Sequence, residues 1–254
     1  MERIKPYGFD ELKRNPYRLR AIELKKELEK IYNEYWTEHA ELFRIVQKAL
    51  CQCFPSKYTK IHLDESAKEK YGVYDRFLVV SKKTLGFQHW EHTWISGMDL
   101  NKDNHRKLLI YYADEIKEKA KKTMKERASE ILDFLRYLDS KGLNTDFKVL
   151  GSEFELVQFE GEKKKRITVL CRNSRCSIAS SSNSSNFYWR EELDFKRYHD
   201  CIDYYYKLPE IVNLLRTAIS MVKEKLALIK EIKQSDEFLS IKDFVMLYDG
   251  LSNL

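Results

Sequence analysis

One segment without glycine or proline constrains the fold of this chain more than any other feature. It runs from Tyr17 to Phe54 and follows Asn15 and Pro16, which suit the N-cap and the first position of a helix. The sequence therefore predicts one helix over residues 16–54. Its apolar residues recur every three or four positions, so they form a stripe suited to pack on another helix of the same chain or of a second copy. The stripe comprises Leu24, Leu28, Ile31, Tyr35, Leu42, Ile45 and Ala49.

Composition narrows the class of protein. The 254 residues are 43% hydrophobic, which suffices for a packed core and excludes a wholly disordered chain. Only 8 glycines and 4 prolines are present, which argues against a β-sandwich with many turns and against glycine-rich phosphate loops. No apolar run reaches the roughly 20 residues of a membrane span, and the first residues lack a secretory signal. These features predict a soluble intracellular protein with no membrane partner.

The cysteines favour a reducing compartment. There are five, an odd number, and their spacing matches neither a disulfide framework nor the paired C-x-x-C pattern of zinc sites. We therefore expect free thiols and a cytoplasmic location. The five are Cys51, Cys53, Cys171, Cys176 and Cys201.

The rest of the chain alternates strand and helix patterns. Residues 77–80 and 87–95 predict a first hairpin, and a second long helix is expected over 103–141, ended by Gly142. The serine- and asparagine-rich residues 174–186 predict a loop. Further strands are expected at 147–150, 154–159 and 166–171, and further helices at about 191–207, 209–232 and 240–248.

These patterns together predict an α+β protein with long helices, some of them coiled-coil-like, and two small antiparallel β-elements. Residues 1–100 are expected to form an N-terminal helical region with a β-hairpin. Residues 101–254 are expected to form a C-terminal α/β region that ends in helices.

Positive charge is concentrated in the second β-region. The formal net charge is only +6, but no acidic residue occurs from Lys163 to Arg190. Cationic side chains neutralise phosphates, and aromatic side chains stack on unpaired bases. This stretch therefore predicts a surface that binds DNA or RNA, although lysine-rich turns can also simply keep a protein soluble. The candidate nucleic-acid-binding residues are Lys163, Lys164, Lys165, Arg166, Arg172, Arg175, Trp189 and Arg190.

A histidine-rich run in the first hairpin is a second candidate for chemistry. His89, Glu91 and His92 lie within four residues, but on a strand His92 would face away from the other two. A metal site formed by this run alone is therefore unfavourable. Exposed or hydrogen-bonded histidines between packing tryptophans are the simpler interpretation.

Residues 125–173 predict a helix, a short strand and a hairpin. The helix carries Glu130, the first strand of the hairpin carries Glu153 and Glu155, and the second strand ends in Arg172. This arrangement resembles the core of the PD-(D/E)xK, or restriction-endonuclease-like, superfamily. The resemblance implies Glu130, Glu155 and Arg172 as catalytic residues, with Mg²⁺ as the cofactor of an active nuclease. However, Leu170 stands where the family has its second carboxylate, and Arg172 stands where it has a lysine.

These departures favour a protein that binds nucleic acid without cutting it. Leucine offers no ligand to Mg²⁺, and arginine is a poor proton shuttle. The expected function is that of an intracellular nucleic-acid-binding protein with a catalytically degenerate nuclease-like fold, without a cofactor. Two other interpretations stay open: a helical scaffold or assembly subunit with a merely solubilising basic surface, and an active metal-dependent nuclease. The 16–54 helix also offers a contact for a homodimer or another protein partner.

Overall fold

The computed structural model describes the backbone of residues 14–143 and 147–251, except for 151–152, 161–162, 173–174, 181–182 and 191–197. It describes side chains in 14–143 and in most of 208–249. The chain is an α+β protein, as predicted, and it forms two compact units. The first unit comprises Met1–Tyr35 and Thr145–Glu224, and the second comprises Trp36–Asn144 and Lys225–Leu254. The domain boundary expected at residue 100 lies inside the second unit.

The first helix, α1, spans Pro16–Gln52 and confirms the long helix that the sequence predicts. Oδ1 of Asn15 accepts a hydrogen bond from the amide of Tyr17 (2.9 Å), which caps the helix as expected. Of the predicted apolar stripe, only Ile31 is half-buried and the other members are buried. His39 lies within the same stripe and is fully buried. The stripe is therefore covered within the chain itself, and the homodimer contact that the sequence analysis left open stays a prediction.

The second unit contains a four-stranded antiparallel sheet in the order β1-β2-β3-β4. The pairing of β2 with β3 confirms the predicted hairpin, but β3 ends at Gln88. Residues 89–93 form turns and bends, and residues 94–95 are irregular, instead of the expected continuation of the strand. Gly86 permits the close approach of β4, because a Cβ there would lie 2.2 Å from the carbonyl oxygen of Ser96. The strands are β1 Thr59–His62, β2 Phe77–Val80, β3 Leu85–Gln88 and β4 Ser96–Gly97.

The single helix predicted over residues 103–141 is wrong. This region is divided into α3 Asp103–Tyr111, α4 Ala113–Lys119, a 3₁₀ turn Lys122–Met124 and α5 Lys125–Ser140, and the short helix α2 Glu65–Tyr71 precedes them. The first break lies at Tyr112, whose buried hydroxyl donates to Oδ2 of Asp64 (2.7 Å), the N-cap of α2. At the second break, the amide of Lys121 donates to the carbonyl of Cys53 (3.0 Å). Tertiary hydrogen bonds thus override the local helical pattern at both breaks. At the end of α5, Gly142 has the predicted left-handed conformation, with φ 62°.

The core of the second unit contains two buried polar side chains with defined partners. The guanidinium of Arg106 lies 4.6 Å from the ring centroid of Phe43, and its Nη1 donates to the carbonyl of Leu100 (2.7 Å). Nδ1 of His39 lies 3.0 Å from Oδ1 of Asn101. Burial, with the nearby Arg106 charge, lowers the pKa of His39 to about 4. His39 is therefore neutral at physiological pH and serves packing.

The first unit contains a five-stranded antiparallel sheet in sequence order. Its first three strands confirm the predicted β-region, but the loop predicted over residues 174–186 is wrong, because β8 and β9 occupy most of it. Serine and asparagine are weak strand formers, yet any residue except proline can supply the backbone hydrogen bonds of a ladder. The strands are β5 Phe147–Leu150, β6 Glu153–Glu160, β7 Lys163–Arg172, β8 Arg175–Ser180 and β9 Asn183–Arg190.

Two helices complete the chain. Helix α6 spans Tyr198–Ile232 and contains Pro209 in its interior, so the predicted break before that proline is wrong. A proline removes one amide donor without preventing the following residues from continuing the helix. The predicted start of this helical region at residue 191 lies outside the described residues. Helix α7 spans Asp236–Leu251 and extends the predicted segment at both ends. Within the described part of the chain, no helix combines the length and the apolar character needed to cross a membrane.

Candidate nucleic-acid interface

One end of the four-stranded sheet carries exposed aromatic side chains. At this end, His62 of β1, Phe77 of β2 and Gln88 of β3 form the last paired row of the sheet. The loops next to this row contain Tyr74 and Trp94, each 85% exposed, and Trp90, which is 50% exposed. Two cationic residues, Lys60 and Arg76, lie at the same end. A single exposed ring is common on proteins, but several exposed rings at one place mark a candidate binding surface. We refer to Lys60, Tyr74, Arg76, Trp90 and Trp94 as the tryptophan surface.

The loop that carries both tryptophans is held by hydrogen bonds from the sheet and within itself. The buried side chain of Gln88 donates through Nε2 to the carbonyls of Glu91 (3.3 Å) and Thr93 (2.7 Å). The hydroxyl of Thr93 accepts from the amide of Trp90 (3.0 Å) and donates to its carbonyl (2.9 Å). This tight turn leaves the ring of Trp94 in solvent. Of the two tryptophans that the sequence suggests as packing residues, Trp90 contacts Arg76 and His89, whereas Trp94 is exposed.

The cations of this surface are placed against rings and backbone. The guanidinium of Arg76 lies 3.9 Å from the ring centroid of Trp90, within cation–π distance. Nζ of Lys60 donates to the carbonyl of Glu91 (3.4 Å). The carboxylates of Asp75 and Glu91 belong to the same two loops and balance these two positive charges. Aromatic stacking, rather than net charge, is therefore what this surface offers to a ligand.

The histidines of this loop serve its structure. Nδ1 of His89 lies 3.1 Å from the carbonyl oxygen of Tyr74, which connects the two loops, and its ring meets Trp90 edge-on at 5.0 Å. His92 is exposed. Among the side chains that the structure describes, no group of three or more His, Cys, Asp or Glu residues is placed to hold a metal ion.

The basic residues predicted to bind nucleic acid lie at two ends of β7. Residues 163–166 begin the strand and pair with residues 157–160 of β6. Arg172 ends the strand, roughly 20–30 Å from these residues at about 3.3 Å per residue. Arg172 is paired with Arg175 of β8, and Arg175 is paired with Arg190 of β9, while Trp189 is paired with Cys176 beside this row. The register therefore places Arg172, Arg175 and Arg190 in one row across three strands.

Glu130, implied by the nuclease resemblance as a catalytic residue, has a structural partner. It lies on α5 in the second unit, is exposed, and forms an ion pair with Arg127 (2.6 Å). Arg127 also donates to the carbonyl of Ser240 (2.7 Å) and so connects α5 with α7. Glu130 therefore orients an arginine that connects two helices.

The other two implied catalytic residues lie in the first unit. Glu155 is on β6 and Arg172 is on β7, and the residue paired with Glu155 across these strands is Thr168. Glu153 is paired with Leu170. Mg²⁺ prefers several hard oxygen ligands in octahedral geometry. The register offers no carboxylate on β7 opposite either glutamate, so the paired strands do not fit that ion.

Two cysteines, Cys51 and Cys53, are free and buried at the end of α1. Burial raises the pKa of each thiol to about 12, so both stay protonated at neutral pH. Neither is therefore suited to act as a nucleophile or as a metal ligand. The side chains of Cys171, Cys176 and Cys201 lie outside the described residues.

Sequence reasoning did not single out Tyr74 as a surface residue, and it interpreted Trp90 and Trp94 as packing residues rather than as binding residues. A signal for Tyr74 was present, because Gly72 ends α2 in the left-handed conformation (φ 63°) and Asp75 follows, which is typical of a loop. The exposure of Trp94 has no comparable local signal.

No family model, curated protein or solved structure matches the chain. The chemistry of its own surfaces is therefore the basis for inferring what it binds.

Proposed function

We propose that the protein binds single-stranded nucleic acid and that the tryptophan surface stacks on unpaired bases. The observation that carries the proposal is the joint exposure of three rings at one sheet end, with the Arg76 guanidinium stacked on Trp90. Every base has a π-face, so exposed rings bind unpaired bases with little sequence preference. The planar guanidinium of an arginine beside a ring can itself stack on an aromatic face, and it adds a positive charge.

A single strand suits this surface better than a duplex. In a duplex the base faces are covered by their neighbours, and the outer surface is phosphate. The charges of the tryptophan surface nearly cancel, so it has little to attract phosphates alone. In this proposal, the phosphates contact the basic residues of the five-stranded sheet that the sequence predicts to bind nucleic acid. These residues are Lys163, Lys164, Lys165, Arg166, Arg172, Arg175 and Arg190.

The test is fluorescence anisotropy with labelled strands of about 12 nucleotides, within the usual site sizes. DNA and RNA, each single-stranded and duplex, are titrated with the full chain at two salt concentrations. We expect single strands to bind more tightly than duplexes. Replacing Trp94 with alanine should weaken single-strand binding roughly fivefold or more, since stacking contributes about 1–3 kcal/mol per base.

A matched variant separates stacking from a general loss of stability. Tyr137 is also an exposed aromatic residue of the second unit, 43% exposed, but it lies on α5. Tyr137→Ala should bind single strands like the parent. Equal affinities for Trp94→Ala and the parent, or tighter binding of duplex than of single strand, would refute the proposal.

A helical assembly subunit is the second candidate, and α7 supplies the observation that favours it. Leu239 is 41% exposed, and Met246 and Leu247 are each 63% exposed, which leaves apolar surface on this helix. If assembly is the function, sedimentation will show concentration-dependent oligomers that Leu247→Glu abolishes, and nucleic acid will not bind. Monomers that retain single strands would exclude it.

A further inference from the structure

A groove in the first unit is independent of both surfaces described above. It lies between the first turns of α1 and the middle of α6 and has a volume of about 390 Å³. Small-ligand sites typically enclose about 300–1,000 Å³. Its lining includes Tyr17 and Arg20 from α1, and Pro209, Val212 and Arg216 from α6. The spacing of three or four residues puts each set on one side of its helix.

Two guanidinium groups give the groove a positive side. Arg20 donates through one nitrogen to Oε2 of Glu23 (2.9 Å), and this pair is largely exposed. A guanidinium has five N–H donors, so Arg20 keeps others for a ligand. Arg216 is exposed and forms no ion pair with any side chain that the structure describes. Arginine pairs bind phosphate oxygens through several parallel hydrogen bonds, which makes phosphate the anion that best fits two of them.

Apart from the two arginines, the groove is lined by two prolines, Val212, the exposed amide side chain of Asn213 and the ring of Tyr17. Val212 is only 2% exposed and lies among the lining residues, and two prolines, Pro16 and Pro209, offer no amide donors. Tyr17 is 50% exposed and presents an aromatic face. A ligand that fits both sides has a flat apolar part joined to an anion.

We infer that this groove binds a nucleotide, with its phosphate monoester on Arg20 and Arg216 and its base against Tyr17. The source is either a free mononucleotide or the phosphorylated end of a strand. The site does not rest on the proposed function, because none of its lining residues belongs to the tryptophan surface or to the basic residues of the five-stranded sheet.

The test is calorimetric titration of the full chain with adenosine 5′-monophosphate, adenosine and inorganic phosphate. We expect the monophosphate to bind with a Kd below roughly 1 mM, and the two fragments to bind at least tenfold more weakly, because each fills half of the groove. Affinity for the monophosphate should rise between pH 5.5 and 7.5, since the second phosphate ionisation has a pKa of about 6 and both arginines stay charged. Equal binding of adenosine and the monophosphate would overturn the inference.

Variants assign the site. Arg216→Gln should weaken monophosphate binding about tenfold or more, and Glu23→Gln should tighten it by removing a competing carboxylate. Tyr17→Leu should weaken binding of the monophosphate but not of inorganic phosphate. The matched control is Arg136→Gln, an exposed arginine of α5 paired with Asp133, which should bind like the parent. Unchanged affinity in Arg216→Gln would refute the site.

Two further titrations separate the sources and the two proposals. Tighter binding of a 5′-phosphorylated strand than of the same strand with a 5′-hydroxyl, lost in Arg216→Gln, would assign the groove to strand ends. No such difference, with the monophosphate still bound, would assign it to a free nucleotide. Trp94→Ala should leave monophosphate binding unchanged, so failure of the stacking proposal and failure of this site are distinguishable.

Discussion

Replacing Gln88 with leucine tests whether the turn holds the tryptophan surface in a binding-competent form. The substitution removes no aromatic ring and no charge. It removes the two hydrogen bonds from Nε2 to the carbonyls of Glu91 and Thr93, at 3.3 and 2.7 Å. We expect the loop of residues 89–95 to open more often and single-strand binding to weaken.

The magnitude follows from the burial of each group. An unsatisfied buried carbonyl costs about 1–3 kcal/mol, so two of them could cost about 2–6 kcal/mol. Glu91 is exposed and Thr93 is half-buried, so water can replace part of what Nε2 supplied. Oε1 of Gln88 is itself buried without a hydrogen-bond partner among the described residues, and leucine removes that cost. Because both effects reduce the cost, we expect a loss below that range, about 1–2 kcal/mol.

Hydrogen exchange read by mass spectrometry measures this loss locally. A loss of about 1–2 kcal/mol in opening free energy speeds exchange of the loop amides about fivefold to thirtyfold. The control is Gln47→Leu, which removes the hydrogen bond from Nε2 of Gln47 to the carbonyl of Met98 (3.1 Å) elsewhere in the same unit. It should leave loop exchange and strand affinity unchanged. Parent-like exchange and affinity in Gln88→Leu would refute the reasoning.

Three further predictions concern charge, catalysis and thiols. Changing Lys163, Lys164 and Lys165 to glutamate should weaken binding of all sequences alike and flatten the plot of log K against log[salt] by about 0.7–0.9 per lost phosphate contact; an unchanged slope contradicts the assignment of these residues. The purified chain with Mg²⁺ or Mn²⁺ should show no EDTA-sensitive cleavage of DNA or RNA. At least two positioned oxygens are needed to hold the ion, and β7 places no carboxylate opposite Glu155. Cleavage that Glu155→Ala abolishes would establish a nuclease. Cys51 and Cys53 should react with iodoacetamide far more slowly in the folded than in the unfolded protein, since burial keeps both thiols protonated at neutral pH; equal rates would contradict their burial.

The sequence predicts correctly those helices and strands whose formation depends on residues close together in the chain. The absence of Gly and Pro after Pro16 and the repeated apolar spacing were enough to predict α1, and β2 was predicted from its apolar β-branched residues. The breaks that were missed depend on contacts far along the chain. Tyr112 leaves the helical pattern where it bonds Asp64, 48 residues earlier. Such a hydrogen bond has no sequence signature, so the helix over 103–141 could not be divided correctly.

The candidate site was predictable in its charge but not in its rings. The basic residues from Lys163 onward are adjacent in sequence, and their sign is independent of the fold. Whether Trp94 is buried or exposed depends on where β3 ends and on the turn that Gln88 and Thr93 hold. In the sequence alone, Gln88 is equally compatible with a strand that continues through the tryptophans. Stacking surfaces made by turns are therefore harder to read from a sequence than charged segments.

Charge and stacking leave different signatures in a salt titration, which makes the two parts of the proposed function separable. Removing a lysine that contacts phosphate changes the slope of log K against log[salt], because fewer counterions are released on binding. Removing the ring of Trp94 releases no counterion, so it should lower log K by a similar amount at every salt concentration. The two charges of Lys60 and Arg76 are balanced by Asp75 and Glu91, which is why the tryptophan surface itself should contribute little to the slope. A Trp94→Ala variant with a flattened slope would mean that this end of the sheet acts through phosphate, and the stacking role would have to be abandoned.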